Sequence, residues 1–192
     1  MHQLFPLVFA AVFLQAAAAE PGAELWERVR RGGVILLLRH AQTGPGGRGP
    51  LVLEDRATQR LLSPAGERQA ERIGEILAAE GVEIDEVRSS RLFRARDTAR
   101  LAFGDYILWE VLDALDVPGG PEAAERDAQL QALFAGLHGN RTLVLVTHSP
   151  NIQRITGLGL PEGGILVLEP DGDGGFRNLG RLDIEGKIRR RE

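Results

Sequence analysis

Two apolar runs in this 192-residue chain each end in a histidine. Residues 34–38, "VILLL", lead into Arg39 and His40, and "TLVLVTH" closes on His148. An unbroken apolar run of this length is the pattern of a strand buried on both faces, as in the centre of a parallel sheet. A third segment, "SSRLFRARDTAR" at 89–100, places Ser89 and Ser90 at the end of a short strand and opens a helix at residues 91–94. An arginine projecting from a helix N-terminus adds its guanidinium to backbone donors that already favour anions, so Arg94 marks an oxyanion site. Arg88, Arg91, Arg96 and Arg100 read as a solvated helix face.

The elements that must position these residues alternate along the chain. "ELWERVRRGG" reads as a short helix closed by Gly32 and Gly33, and "GPGGRGP" at 44–50 is a loop. Ser63 and Pro64 form the N-cap and first position of a helix with Ala70, Ile73, Ile76 and Leu77 on its apolar face and Gly81 after it. A strand is expected over 82–87, a helix over 92–103 and another strand over "YILWEV". Leu130, Leu133, Phe134 and Leu137 mark one helix face that ends at Gly139. "GILVLEP", "DGDGG" and "FRNLGRLDI" form two strands and their turn, leaving "GKIRRRE" as a solvated tail. This order predicts an α/β fold: a three-layer α/β/α sandwich with a mainly parallel central sheet and a C-terminal hairpin. In such sheets ligands bind at the carboxyl ends of the strands, where strand order reverses. Arg39, His40 and His148 all fall at such ends.

Composition sets the remaining bounds. The length suits one domain, and a net charge of −4 gives no reason to expect nucleic acid as a partner. Cysteine is absent, which excludes thiolate chemistry, disulfides and cysteine-based zinc sites. Residues 4–14, "LFPLVFAAVFL", have the length of a signal-peptide core, and "QAAAAE" supplies a small-residue cleavage site after Ala19. The expectation is a signal peptide over 1–19, a single domain over 20–192, export to a periplasm or beyond, and no stable membrane association after cleavage. "DGDGG" lacks the downstream ligands of a calcium loop and reads as a turn. No G-x-x-x-x-G-K-[ST] loop and no G-x-S-x-G elbow occurs.

Four segments in order resemble the histidine phosphatase superfamily, the group that includes phosphoglycerate mutases and phosphohistidine phosphatases. "LLLRHAQTG" is similar to its R-H-[GA]-x-T/S signature, and "LSPAGERQA" to L-[ST]-x-x-G-x-x-Q-A. "SSRLFRARDTA" resembles S-S-x-L-x-R-A-x-[QED]-T-A, and "LVLVTHSPNI" resembles the second-histidine strand. The resemblance implies a small phosphohistidine-phosphatase-like member in which His40 accepts a phosphoryl group covalently. Arg39, Arg94 and His148 then surround the phosphate, with no metal and no cofactor. Two guanidiniums and a second histidine can match the charge of a phosphoryl group in transfer.

Thr43 is open to anchoring the loop or a phosphate oxygen, and Asn151 to orienting the His148 imidazole or capping the next helix. The general acid is sought among Glu110 and Asp113, with Asp116 behind them and Asp55 as a further candidate. The implied activity is a phosphatase acting on a phosphorylated small molecule or phosphoprotein. The alternatives are a non-catalytic anion-binding relative and a phosphomutase. Retention of His40 favours the enzyme, because a binding pocket needs the arginines but not a nucleophile.

Overall fold

The computed structural model describes residues 22–117 and 119–189, so the expected signal peptide lies outside the described residues. Its strands are β1 (Val34–Arg39), β2 (Glu86–Ser89), β3 (Ile107–Leu108), β4 (Thr142–Thr147), β5 (Ile165–Pro170) and β6 (Phe176–Leu182). They form one sheet in the order β3-β2-β4-β1-β5-β6. The pairs β3–β2, β2–β4 and β4–β1 are parallel, whereas β5 runs antiparallel to β1 and pairs with β6 as a hairpin. The expected mainly parallel sheet with a terminal hairpin is what the chain adopts.

Alternation along the central strands divides the core into two halves. Leu36, Leu38, Val144 and Val146 face the layer of α1 (Ala23–Arg30), α2 (Pro64–Ala79) and α3 (Phe93–Phe103). Ile35, Leu37, Leu143 and Leu145 face the opposite layer of α4 (Ala123–Gly136) and α5 (Ser149–Thr156). All five side chains of residues 34–38 are completely buried. Full burial of each large aliphatic side chain stabilises by about 1.5–3 kcal/mol, which makes β1 and β4 the rigid base of whatever stands at their carboxyl ends.

Local chemistry sets the helix ends. Ser63 Oγ accepts from the Gly66 amide at 3.0 Å, with Pro64 at the first helical position. Between β5 and β6, Asp171 Oδ1 accepts from the amides of Asp173 and Gly175, which confirms "DGDGG" as a turn closed by its first aspartate.

Four local expectations are corrected. The second strand begins at Glu86, not Val82, because only Asp85 and the residues after it meet β4: the Asp85 amide donates to the Thr142 carbonyl, and Asp85 Oδ2 accepts from the Thr142 amide. "YILWEV" yields only the two-residue edge strand β3, followed by a 3-10 turn over Glu110–Leu112. The helix of Leu130 and Phe134 closes at Gly136, leaving Leu137 in an extended conformation. The basic tail is not wholly solvated, since Ile184–Arg189 form α6, with Asp183 Oδ1 accepting from the Gly186 amide. Ile184 is buried against the α1–α3 half of the core, while Lys187 pairs with Glu80 at 3.0 Å and lies over the Trp26 ring.

Candidate active site

At the carboxyl end of β1 the chain leaves the core through Arg39 and His40. The His40 amide donates to the Thr147 carbonyl at 3.0 Å, so the ends of β1 and β4 stay joined one step past the strand. This join carries His40 and His148 to the same rim, with ring centroids 5.3 Å apart. Both are about 2% exposed. β1 and β4 are parallel neighbours, and the chain passes from β1 to α2 on one face of the sheet and from β4 to α5 on the other, so the rim lies at the topological switch point.

His40 Nδ1 is 2.9 Å from its neighbour's carbonyl, Ala41 O. A carbonyl can only accept, so Nδ1 carries the proton and Nε2 keeps its lone pair. Burial is the main cause that lowers the His40 pKa to about 4, and the charges of Arg94 and Arg39 add to it against the Ala41 bond and Glu162. The imidazole is therefore neutral and nucleophilic across the physiological range. Burial also holds His148 well below the ordinary histidine value, helped by Arg94, His40, Arg39 and Arg60.

Arg39 donates through Nη1 to Leu160 O at 2.7 Å, and its Nη2 is 3.7 Å from Glu162 Oε1. Arg94 stands on the first turn of α3 and makes no ion pair or side-chain hydrogen bond among the described residues. Burial lowers its pKa to about 10, first by desolvation and then by the neighbouring charges of Arg60 and Arg39, against Asp116 and Glu162. The guanidinium is charged at neutral pH all the same. Among the described residues, buried Arg39 Nε, Arg94 Nε and His148 Nδ1 have no hydrogen-bond partner. Unpaired buried polar groups are costly, and the two guanidinium N–H groups among them are donors that an oxyanion can satisfy.

The motif segments find their physical purpose here. Gly66 lets α2 approach the backbone after His40, because a Cβ there would stand 1.8 Å from Gln42 O. Gln69 Oε1 accepts from the Gln42 amide at 2.9 Å while its Nε2 donates to Glu162 O at 3.1 Å. Thr98 Oγ1 accepts from the Ala41 amide and donates to Arg94 O, which ties α3 to the His40 loop. His148 Nε2 lies 2.8 Å from Ser90 Oγ, so the residue that follows β2 joins the same rim.

The remaining expected residues divide. Thr43 donates its hydroxyl to Glu162 Oε1 at 2.7 Å and its amide to Glu162 Oε2 at 3.3 Å, so it anchors a carboxylate in this structure. Asn151 makes no hydrogen bond to the His148 ring among the described residues; its Nδ2 donates to Leu112 O, Asp113 O and Thr147 Oγ1. Asp113 is not placed to deliver a proton: it is completely buried, and its two oxygens accept from Ser90 Oγ, the Arg91 amide and Arg91 Nε. Arg91 is correspondingly not a solvated residue but the ion-pair partner of Asp113 at 2.6 Å. Glu110 is half exposed and 3.4 Å from Arg91 Nη1. Asp55 caps the turn over Arg56–Thr58 by accepting from the Ala57 amide.

Sequence reasoning missed Glu162 and Arg60. Both belong to loops that only the fold brings to the rim, and a proline before Glu162 with two glycines after it signals a turn rather than chemistry. Among the described residues no group of three or more His, Asp or Glu stands together as a metal-ligand set, and no described helix is long and apolar enough to cross a membrane.

Residues 35–116 match the family model of the histidine phosphatase superfamily, branch 1. The protein histidine phosphatase SixA, solved with tungstate, is 16% identical with a TM-score of 0.57, the match covering 80% of this chain and 99% of that one. A protein from Agrobacterium tumefaciens assigned as phosphohistidine phosphatase SixA is 23% identical, with a TM-score of 0.55 and 78% and 96% of the two chains covered. One from Escherichia coli assigned as an alpha-ribazole-5'-P phosphatase is 18% identical, with a TM-score of 0.56 and 79% and 97% covered. No curated protein matches the sequence. The solved structures share the fold, and the family match spans β1, α2, β2 and α3, the elements that hold His40, Ser90 and Arg94 at one rim: over residues 35–116 the chain is similar to the histidine phosphatase superfamily.

Proposed function

We propose that the protein is a phosphatase that works through a covalent phosphohistidine on His40, without a metal ion. The observation that carries this reading is the fixed tautomer of His40, whose Nδ1 proton is committed to Ala41 O and whose Nε2 is free to attack. In the first step Nε2 forms a bond to phosphorus while the bond from phosphorus to the leaving oxygen or nitrogen breaks and the leaving group takes a proton from solvent water. In the second, water attacks phosphorus, the N–P bond breaks, and inorganic phosphate departs. Arg39 and Arg94 supply the positive charge that the equatorial oxygens require in both steps.

Substrates whose leaving group departs easily fit best. Asp113 is fully engaged with its own donors, and Glu110 is held by Arg91 on the exposed side of the turn. A phosphoamidate or an aryl ester needs less acid assistance than an alkyl ester, which supports a phosphoprotein or a loosely selected small phosphorylated substrate. Residues 1–19 support export to a periplasm or beyond, which N-terminal sequencing of the protein recovered from a periplasmic fraction tests.

The activity is tested by incubating purified protein with a generic phosphate ester in EDTA, comparing wild type with His40→Ala. Turnover by the wild type alone, with an acid-labile phosphoprotein trapped during it, is the expected result. Absence of turnover and of any trapped phosphoprotein overturns the enzymatic reading. Activity lost in EDTA and restored by a divalent ion overturns the metal-free mechanism alone.

A further inference from the structure

A carboxylate stands among the cations of the site. Glu162 Oε1 lies 3.7 Å from Arg39 Nη2 and 3.5 Å from Arg60 Nη2. Charge-assisted hydrogen bonds close at about 2.7–2.9 Å, so both guanidiniums sit near this carboxylate without being forked to it. What Glu162 does bond tightly is Thr43, through both its hydroxyl and its amide.

The backbone holds this placement. The Gly163 amide donates to both the Arg39 and His40 carbonyls, at 3.2 and 3.0 Å, and the Arg39 amide donates back to Gly164 O at 3.0 Å. Gly163 has φ +75°, and a Cβ there would meet the Gln69 amide group at 2.4 Å. The turn before β5 is thus stitched to the nucleophile's own residue, and Glu162 is fixed beside it. Burial works against its ionisation, yet the two Thr43 bonds and the charge of Arg39 hold its pKa below the usual carboxylate value.

We propose that Glu162 is a resident anion of the phosphate pocket, which pairs with Arg39 and Arg60 and competes with bound phosphate for their charge. The proposal rests on the reading of this rim as a phosphate site. Arg39, Arg94 and Arg60 bring three positive charges to neutral His40 and His148, and Glu162 offsets one of them. Its electrostatic coupling reaches His40 and Arg94 as well as Arg39. Such a pocket retains phosphate less tightly than its arginines alone would, and the penalty is greater for a dianion than for a monoanion. Glu162 thereby sets the discrimination among phosphoryl species by charge and limits retention of the product.

A purely structural strut makes the opposite prediction. If Glu162 served only to hold Arg39 and Thr43 in place, its removal would loosen them and weaken phosphate binding. Glu162→Gln keeps the shape and one acceptor for Thr43 while removing the charge. The test is calorimetric titration of the wild type and Glu162→Gln with inorganic phosphate at about pH 8 and about pH 5.5, on either side of the second ionisation of phosphate groups. The variant is expected to bind roughly 5–10-fold more tightly at the higher pH, a gain of about 1–1.4 kcal/mol, and to gain less at the lower pH. Equal or weaker binding by the variant at the higher pH overturns the proposal while leaving the phosphate site intact. Failure of both proteins to bind phosphate overturns the phosphate-site reading and the proposal with it. Glu162→Ala, expected to change affinity in the same direction, replaces the glutamine variant should that one fail to fold.

Discussion

His148 Nε2 and Ser90 Oγ are 2.8 Å apart, and the direction of that bond is determined by what lies behind it. Ser90 Oγ is also 3.0 Å from Asp113 Oδ1, and a carboxylate can only accept. The serine proton therefore points to Asp113, so the serine oxygen accepts from His148, and His148 Nδ1 is left as a buried lone pair. A proton arriving at Nδ1 during turnover would have its charge backed through Ser90 by Asp113.

Ser90→Ala cuts this relay at its centre without removing either end. Charged hydrogen bonds contribute about 1.5–3 kcal/mol, so kcat/KM on a phosphate ester is expected to fall roughly 10–100-fold. A lowered melting temperature should accompany the loss, because the buried Leu92 amide and His148 Nε2 lose an acceptor, so activity is compared at a temperature where both proteins are folded. Activity within a factor of about two of wild type would show that the relay has no part in turnover.

Asp113 and Glu110 separate a buried strut from an exposed carboxylate. Asp113→Asn leaves the Arg91 guanidinium with only the 3.4 Å pair to Glu110, a change expected to destabilise by about 3 kcal/mol, the low end for a buried pair because Arg91 is a quarter exposed. Glu110→Gln removes only a half-exposed pair at 3.4 Å and is expected to cost at most about 1 kcal/mol. Urea midpoints read both. If Glu110→Gln abolished turnover of an alkyl ester yet spared a phosphoamidate, Glu110 would be the proton donor after all.

How far the sequence speaks depends on how local the cause is. The runs at 34–38 and 142–147, the Ser63–Pro64 cap and the Asp171 turn depend on near neighbours, and each forms where the residues say. Ser90, Arg91 and Asp113 depend on a meeting across about twenty residues, so a helix-face pattern misreads Arg91 as solvated and a list of carboxylates misreads Asp113 as an acid. Glu162 is further removed still, 119 residues from Thr43. Its only local signature is the glycine pair that lets the turn press against Gln69.

Arg126 stabilises the turn behind the site. It is only 4% exposed, and it donates to Pro121 O, Val111 O and Asp113 O at 2.8–2.9 Å. Asn151 adds donors to Leu112 O and Asp113 O from the other side, so the turn that carries the Asp113 carboxylate is clasped twice. Arg126→Met preserves much of the packing but takes the Arg126 donors from Pro121 O and Val111 O, Asp113 O keeping Asn151, at about 1–3 kcal/mol for each that stays dry. A loss of roughly 3 kcal/mol or more in urea unfolding is expected, with Arg126→Lys intermediate. A variant as stable as wild type would mean that water replaces the guanidinium.

Both site histidines are neutral in the folded protein, which fixes the sign of a pH effect on stability. The unfolded chain protonates its histidines at about pH 6.5, whereas folded His40 accepts a proton only near pH 4 and His148 is also held well below the ordinary value. Below about pH 6.5 the unfolded state therefore binds protons that the folded state refuses, and stability falls as the pH falls. For His40 the full loss, reached near pH 4, is on the order of 3 kcal/mol. Thermal melts from about pH 7.5 to about pH 5 stay above most carboxylate titrations and isolate the histidine contribution. The melting temperature of the wild type is expected to drop steadily over that range, and that of a His40→Gln, His148→Gln double variant to change much less. Parallel pH profiles for the two proteins would place the acid sensitivity elsewhere in the molecule.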